Sequence, residues 1–152
     1  MPRLPLLLAA LALASGLAFA PPPDRDEDAA RAFALDWVAA YNAHDGAAFS
    51  RLYADGAIVT WPGGGGVVVE DRAAFEAGSV AWHTQAASFR LDLAVAQVRL
   101  IGTTGAVVKL EGTGRFAPDS EATPGNVLLV LERVGAEWRV VAEHWMVYGE
   151  EG

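Results

Sequence analysis

From Ala29 to Asn42 the apolar residues return at helical spacing. Ala29, Phe33, Trp37 and Ala40–Tyr41 form one row, with Ala30, Ala34 and Val38 beside it. Asp26, Glu27 and Asp28 suit the positive end of this helix. His44-Asp45-Gly46 interrupts the pattern, and Asp45 is a good N-cap for a second helix, Gly46 to Tyr53, closed by Asp55-Gly56. Ala57 to Trp61 reads as a short strand stopped by Pro62. Four glycines, Gly63 to Gly66, make a hairpin tip, and Val67 to Val69 returns. Asp71 caps a third helix, Arg72 to about Trp82, with Phe75 and Val80 or Trp82 as its buried residues.

Beyond His83 the period becomes two. Phe89, Leu91, Leu93 and Val95 alternate with polar or small residues in a strand running to Leu100. Gly102–Gly105 turns the chain into Ala106–Phe116. A polar loop, Pro118 to Gly125, leads to the apolar strand Asn126–Val134. Gly135-Ala136 turns into Glu137–Val147. Helices first and strands afterwards predict an α+β domain: three N-terminal helices with a short hairpin, packed on a curved antiparallel sheet of four long C-terminal strands.

The ends refine this picture. Met-Pro-Arg, the Leu/Ala run from Leu4 to Leu17 and Ala18-Phe19-Ala20 predict a cleavable signal peptide over residues 1–20. The run is shorter than the roughly 20 residues of a spanning helix, so a secreted or periplasmic location follows, with no membrane association once the signal is removed. Residues 21–28 read as a mobile linker and 29–149 as one domain. There is no cysteine, which excludes disulfides, thiol catalysis and thiolate metal sites. The net charge of −8 argues against nucleic acid as a partner.

With the element order in place, three pieces of the chain resemble the nuclear transport factor 2-like superfamily in its SnoaL-like branch. They are Trp37-Val38-Ala39-Ala40-Tyr41-Asn42-Ala43-His44-Asp45 with the helix that follows it to Leu52-Tyr53-Ala54-Asp55, the strand–turn–strand from Val98 to Val108, and Leu131–Val134 through Trp138–His144. The resemblance implies a cone-shaped domain with a pocket at its wide end, and a homodimer formed through the sheet. It implies no single activity, because relatives include isomerases, cyclases, dehydratases, non-catalytic subunits and ligand-binding domains. Ketosteroid isomerase within the superfamily needs a carboxylate base, a tyrosine and a protonated aspartate. Those positions fall on Trp61, on Trp37 and near Leu129, so that activity is not expected.

Candidate chemistry centres on the last strand. A histidine titrates near neutrality and can act as general acid or base, which makes His144 the first catalytic candidate. Strict alternation places Trp138, Val140, Ala142, His144 and Met146 on one face, and Arg139, Val141, Glu143, Trp145 and Val147 on the other. The strand therefore offers the pocket either a histidine or a Glu–Trp pair; relatives with a histidine here favour the His144 face. Lys109, Glu111, Thr113 and Arg115 share one face of their own strand. That face is solvated or dimeric unless it looks inward, where Glu111 would pair with His144 as a second catalytic residue.

His83 suits a helix C-terminus, and His44 sits at an exposed turn. A mixed metal site from His83, Glu111 and His144 lacks any recognised ligand spacing, and no metal or cofactor is expected. Trp37, Tyr41, Tyr53, Trp61 and Trp82, with His144, are the expected ligand-binding residues. Aromatic walls with few polar groups describe a small-molecule pocket, here for an apolar or aromatic ligand. Small-molecule binding is the first functional reading. The alternatives are an isomerase, cyclase or dehydratase using His144, and a non-catalytic dimeric interaction module.

Overall fold

The computed structural model describes residues 25–61 and 65–147, the side chain of Trp61 excepted. The signal segment 1–20, the first part of the linker, the Gly63-Gly64 tip and residues 148–149 lie outside the described residues. Among the described residues three helices, α1 (Arg25–Asn42), α2 (Gly46–Ser50) and α3 (Arg72–Gln85), accompany six strands. The strands are β1 (Tyr53–Trp61), β2 (Gly65–Val68), β3 (Arg90–Ile101), β4 (Gly105–Arg115), β5 (Thr123–Val134) and β6 (Glu137–Val147). They form one curved sheet in the order β2-β1-β6-β5-β4-β3, and the whole is a cone-like α+β domain. No described helix is long and apolar enough to cross a membrane.

Three expectations are corrected here. The sheet has six strands rather than four, and it is mixed, because β1 runs parallel to β6. The short hairpin is thus an edge of the main sheet. The second helix also stops early, at Ser50. Phe49, Leu52 and Tyr53 keep helical spacing, but the backbone gains more by pairing: the Val140 amide donates to the Leu52 carbonyl at 2.9 Å, and Tyr53 opens β1 opposite Val140. At the other end of the helical region, Arg25 to Asp28 form the first turn of α1 rather than a linker.

The helix-end motif of Asn42 and Asp45 has a direct physical role. The Asn42 side chain donates to the Leu91 carbonyl at 2.8 Å and accepts from the Leu91 amide at 2.9 Å. This clamps the end of α1 to the start of β3. Asp45 then caps α2 by accepting from the Ala48 amide at 2.9 Å. At Gly46 a side chain would meet the Ser79 carbonyl oxygen at 2.5 Å, so α2 and α3 touch through backbone. In α3, Val80 and Trp82 are exposed, Phe75 is partly buried, and His83 is the buried residue.

Two bulges set which side chains enter the cone. In β3 the register with β4 slips between Val95 and Gln97, so Leu91, Leu93 and Val95 face the core before the slip and Val98 and Leu100 pack on it afterwards. In β6 the register with β5 passes from Leu131–Val140 to Val130–Ala142, leaving Val141 extra. An extra residue reverses the alternation beyond it. Trp138 and Val140 are buried before the bulge, and Glu143 is buried after it.

Candidate functional site

The inside of the cone is a box of rings around one carboxyl group. Trp37 and Tyr41 stand one turn apart on α1 and share its inner face. Their ring centroids are 5.9 Å apart, and each lies 5.4 Å from Phe49 of α2. Trp145 closes the box from β6, 5.9 Å from Trp37 and 5.8 Å from Tyr41. Tyr53 of β1 packs on Phe49 at 5.3 Å, and His83 of α3 meets Tyr41 at 4.9 Å and Phe49 at 5.0 Å. These are the spacings of offset and edge-on ring pairs in a filled interior.

Glu143 projects into this box and is 5% exposed. Tyr53 donates its hydroxyl proton to one carboxylate oxygen, and the Trp145 indole N–H donates to the other. Tyr53 accepts in turn from the Trp37 indole at 2.9 Å. Indole, phenol, carboxyl and indole therefore form one chain of buried hydrogen bonds. Burial raises the Glu143 pKa from 4.5 to about 7, against the opposing pull of the Tyr53 and Trp145 hydrogen bonds. The carboxyl thus exchanges its proton near neutral pH. Burial also drives the Tyr53 phenol well above its ordinary value, with the Glu143 charge adding to it.

A second hydroxyl stands beside this chain. Tyr41 accepts from the Trp82 indole at 3.0 Å and donates to none of the described residues. Burial raises its pKa to about 12, with Trp82 opposing and Glu143 contributing, so it stays a proton donor at any ordinary pH. His83 is 1% exposed and neither ring nitrogen has a partner among the described residues. Burial, then the neighbouring His44, lowers its pKa, which leaves a neutral imidazole at neutral pH.

The structure thus brings Trp37, Tyr41 and Tyr53 together, with Trp82 attached through Tyr41. The backbone of Trp61 pairs with Gly65, and its side chain is not among those described. The expectation for His144 is corrected: the bulge turns it to the outer face, where it is exposed and its Nδ1 shares a 2.7 Å hydrogen bond with Thr60 Oγ1. Glu111 is also exposed, ion-paired with Lys109 and opposite Asn126. It makes no pair with His144. A mixed site of His83, Glu111 and His144 is likewise excluded, because the first lies inside the cone and the other two outside. The site residues outside the expected set are Glu143 and Trp145, on the less favoured face of the last strand, and Phe49 and His83, which lie on helices. Only the Val141 bulge separates the two faces correctly, and no residue type announces it.

A cleft of ≈ 440 Å³ lies away from the box, lined by Ser88, Arg90, Arg115, Ala117 and Pro118. The box itself is closed by contact between rings; Trp82, bonded to Tyr41, is exposed and Trp145 is half-buried.

Comparison with known proteins bears on this geometry. A SnoaL-like domain family model matches residues 30–146. No curated protein sequence matches the chain. Among solved structures, a domain of unknown function with a cystatin-like fold from Nostoc punctiforme superposes with a TM-score of 0.70 at 18% identity, covering 84% of this chain and 81% of that one. A ketosteroid isomerase-like protein from Erwinia carotovora superposes with a TM-score of 0.64 at 18% identity, covering 83% and 98%. A scytalone dehydratase candidate from Novosphingobium aromaticivorans gives 0.69 at 12% identity, covering 82% and 85%. At these identities the likeness is one of fold.

Proposed function

The chain belongs to the SnoaL-like domain family, within the nuclear transport factor 2-like superfamily, and from that footing we propose that it catalyses proton transfer on a small apolar or aromatic molecule. The observation that carries this reading is Glu143, a carboxyl enclosed by rings, beside a tyrosine hydroxyl that has no acceptor among the described residues. Burying an ionisable group is costly, and a passive apolar pocket has no use for one. A base poised near neutral pH is what general acid–base chemistry requires.

In this reading the Glu143 carboxylate removes a proton from a carbon next to a carbonyl. The electron pair moves onto the carbonyl oxygen, where Tyr41 donates its free hydrogen bond. The protonated Glu143 then returns its proton, either to a different carbon or to a departing hydroxide as water. Isomerisation and dehydration are the two corresponding outcomes, and names of both kinds occur among the structural relatives.

Hydrogen–deuterium exchange tests the assignment. Small aryl ketones incubated with the protein in heavy water are followed by NMR. The expected result is catalysed exchange at the carbon beside the carbonyl, lost in Glu143→Gln and kept in His144→Ala. Exchange unaffected by Glu143→Gln overturns it.

The aromatic walls around Glu143 support a second reading, a ligand-binding domain without turnover. Quenching of tryptophan fluorescence by the same ketones, with no exchange in the native chain, selects that reading. Both readings take the protein to be exported through residues 1–20 and paired through the outer face of its sheet. N-terminal sequencing of the mature protein and its mass in solution check these two points.

A further inference from the structure

Arg90 and Arg115 stand directly opposite each other across β3 and β4. Like charges in that relation repel. The chain carries 19 acidic residues and a net charge of −8, yet the ion pairs among the described residues use Arg31, Arg72, Lys109, Arg133 and Arg139 instead. The Arg90 Nη1 donates to the Ala87 and Phe89 carbonyls, both at 3.0 Å, and to His44 Nε2. The Arg115 Nη1 donates to the Pro118 carbonyl at 3.5 Å. Every one of these acceptors is neutral. Both guanidinium groups are held in place without an ion-pair partner among the described residues.

The two side chains line the ≈ 440 Å³ cleft together with Ser88, whose hydroxyl has no partner among the described residues. The walls are thus two paired cationic forks, a hydroxyl, and the apolar Ala117 and Pro118. Register places the arginine pair on the sheet face opposite Leu91 and Gly114. Leu91 belongs to the core, so this site is separate from the Glu143 box.

We propose that this cleft binds an oxyanion, the carboxylate or phosphate group of a small molecule. Planar guanidinium forks match both groups with paired, charge-assisted hydrogen bonds. An anion between the two forks converts their mutual repulsion into attraction. Ser88 supplies a further donor, and Ala117 and Pro118 receive the apolar part of the molecule.

Titration calorimetry on the full chain decides this, using inorganic phosphate in one arm and benzoate in the other, with ionic strength held constant by sodium chloride. Saturable binding of at least one probe is expected, and the arm that responds identifies the group. Arg90→Gln and Arg115→Gln should each weaken it at least tenfold. Arg115→Glu keeps the fold by pairing with Arg90, and it should abolish binding. It therefore decides the matter even if a glutamine variant misfolds. The absence of saturable heat with both probes, or unchanged affinity in Arg115→Glu, overturns the proposal.

Discussion

Tyr53 and Glu143, ninety residues apart in the chain, share one buried hydrogen bond at the centre of the cone. Tyr53 comes from the first residue of β1, and Glu143 from β6 just beyond its bulge. The phenol donates to the carboxyl while accepting from Trp37. Its proton is thereby oriented, and the carboxyl is held against the rings.

The Glu143 carboxyl makes stability depend on pH in a defined direction. Its folded pKa, about 7, lies above the unfolded 4.5, so the native state binds more protons between these values. The associated stability is fully present below pH 4.5 and is lost as pH rises through 7. A shift of that size corresponds to roughly 3 kcal/mol. Glu143→Gln should remove this loss and be the more stable protein at pH 8. Urea unfolding at pH 5 and pH 8, native against variant, measures it.

Tyr53→Phe should cost about 2–3 kcal/mol at pH 8. It strips the Glu143 carboxylate of a donor and leaves the Trp37 indole without its acceptor. At pH 5 the carboxyl is neutral and the loss should be smaller. Equal losses at the two pH values would show that the Tyr53 hydroxyl serves Trp37 alone.

His83 has the opposite sign. Its folded pKa is lowered, so it contributes stability that is present above its unfolded value of 6.5 and lost as pH falls through the folded one. His83→Leu removes a buried ring whose two nitrogens have no partner among the described residues. It should gain about 1 kcal/mol at pH 7 and flatten the acid side of the stability profile. Thermal unfolding from pH 4 to pH 7 reads both effects.

Deleting Val141 tests the origin of the site. Leu131, Val130 and Leu129 then face Val140, Ala142 and Glu143 one to one, and Glu143 still points inward. The variant should fold with a loss of about 1–3 kcal/mol and keep the pH dependence due to Glu143. Loss of that dependence would mean that the bulge itself, rather than the facing it produces, holds the carboxyl.

Some of this architecture is legible along the chain. Trp37 and Tyr41 declare their shared face because helical spacing is regular through them. Asp45 and Asp71 declare their helices because a capping carboxylate acts on the next turn. The α+β order and the SnoaL-like likeness follow from such local signals taken in sequence. Tyr53 is less legible. Its spacing from Phe49 is helical, and only pairing with β6 makes it a strand residue.

Which face of the last strand enters the cone is a different kind of fact. Glu137–Val147 carries its histidine, carboxylate and tryptophans openly, and alternation alone sorts them into two sets. One extra residue in the ladder exchanges those sets halfway along, and its position depends on how β6 fits β5. Local chemistry therefore determined the elements, their order and the residues available for a site. Tertiary pairing decided that Glu143 rather than His144 is buried, because facing in a strand is a count of residues from the last hydrogen bond, and that count is set by the neighbouring strand.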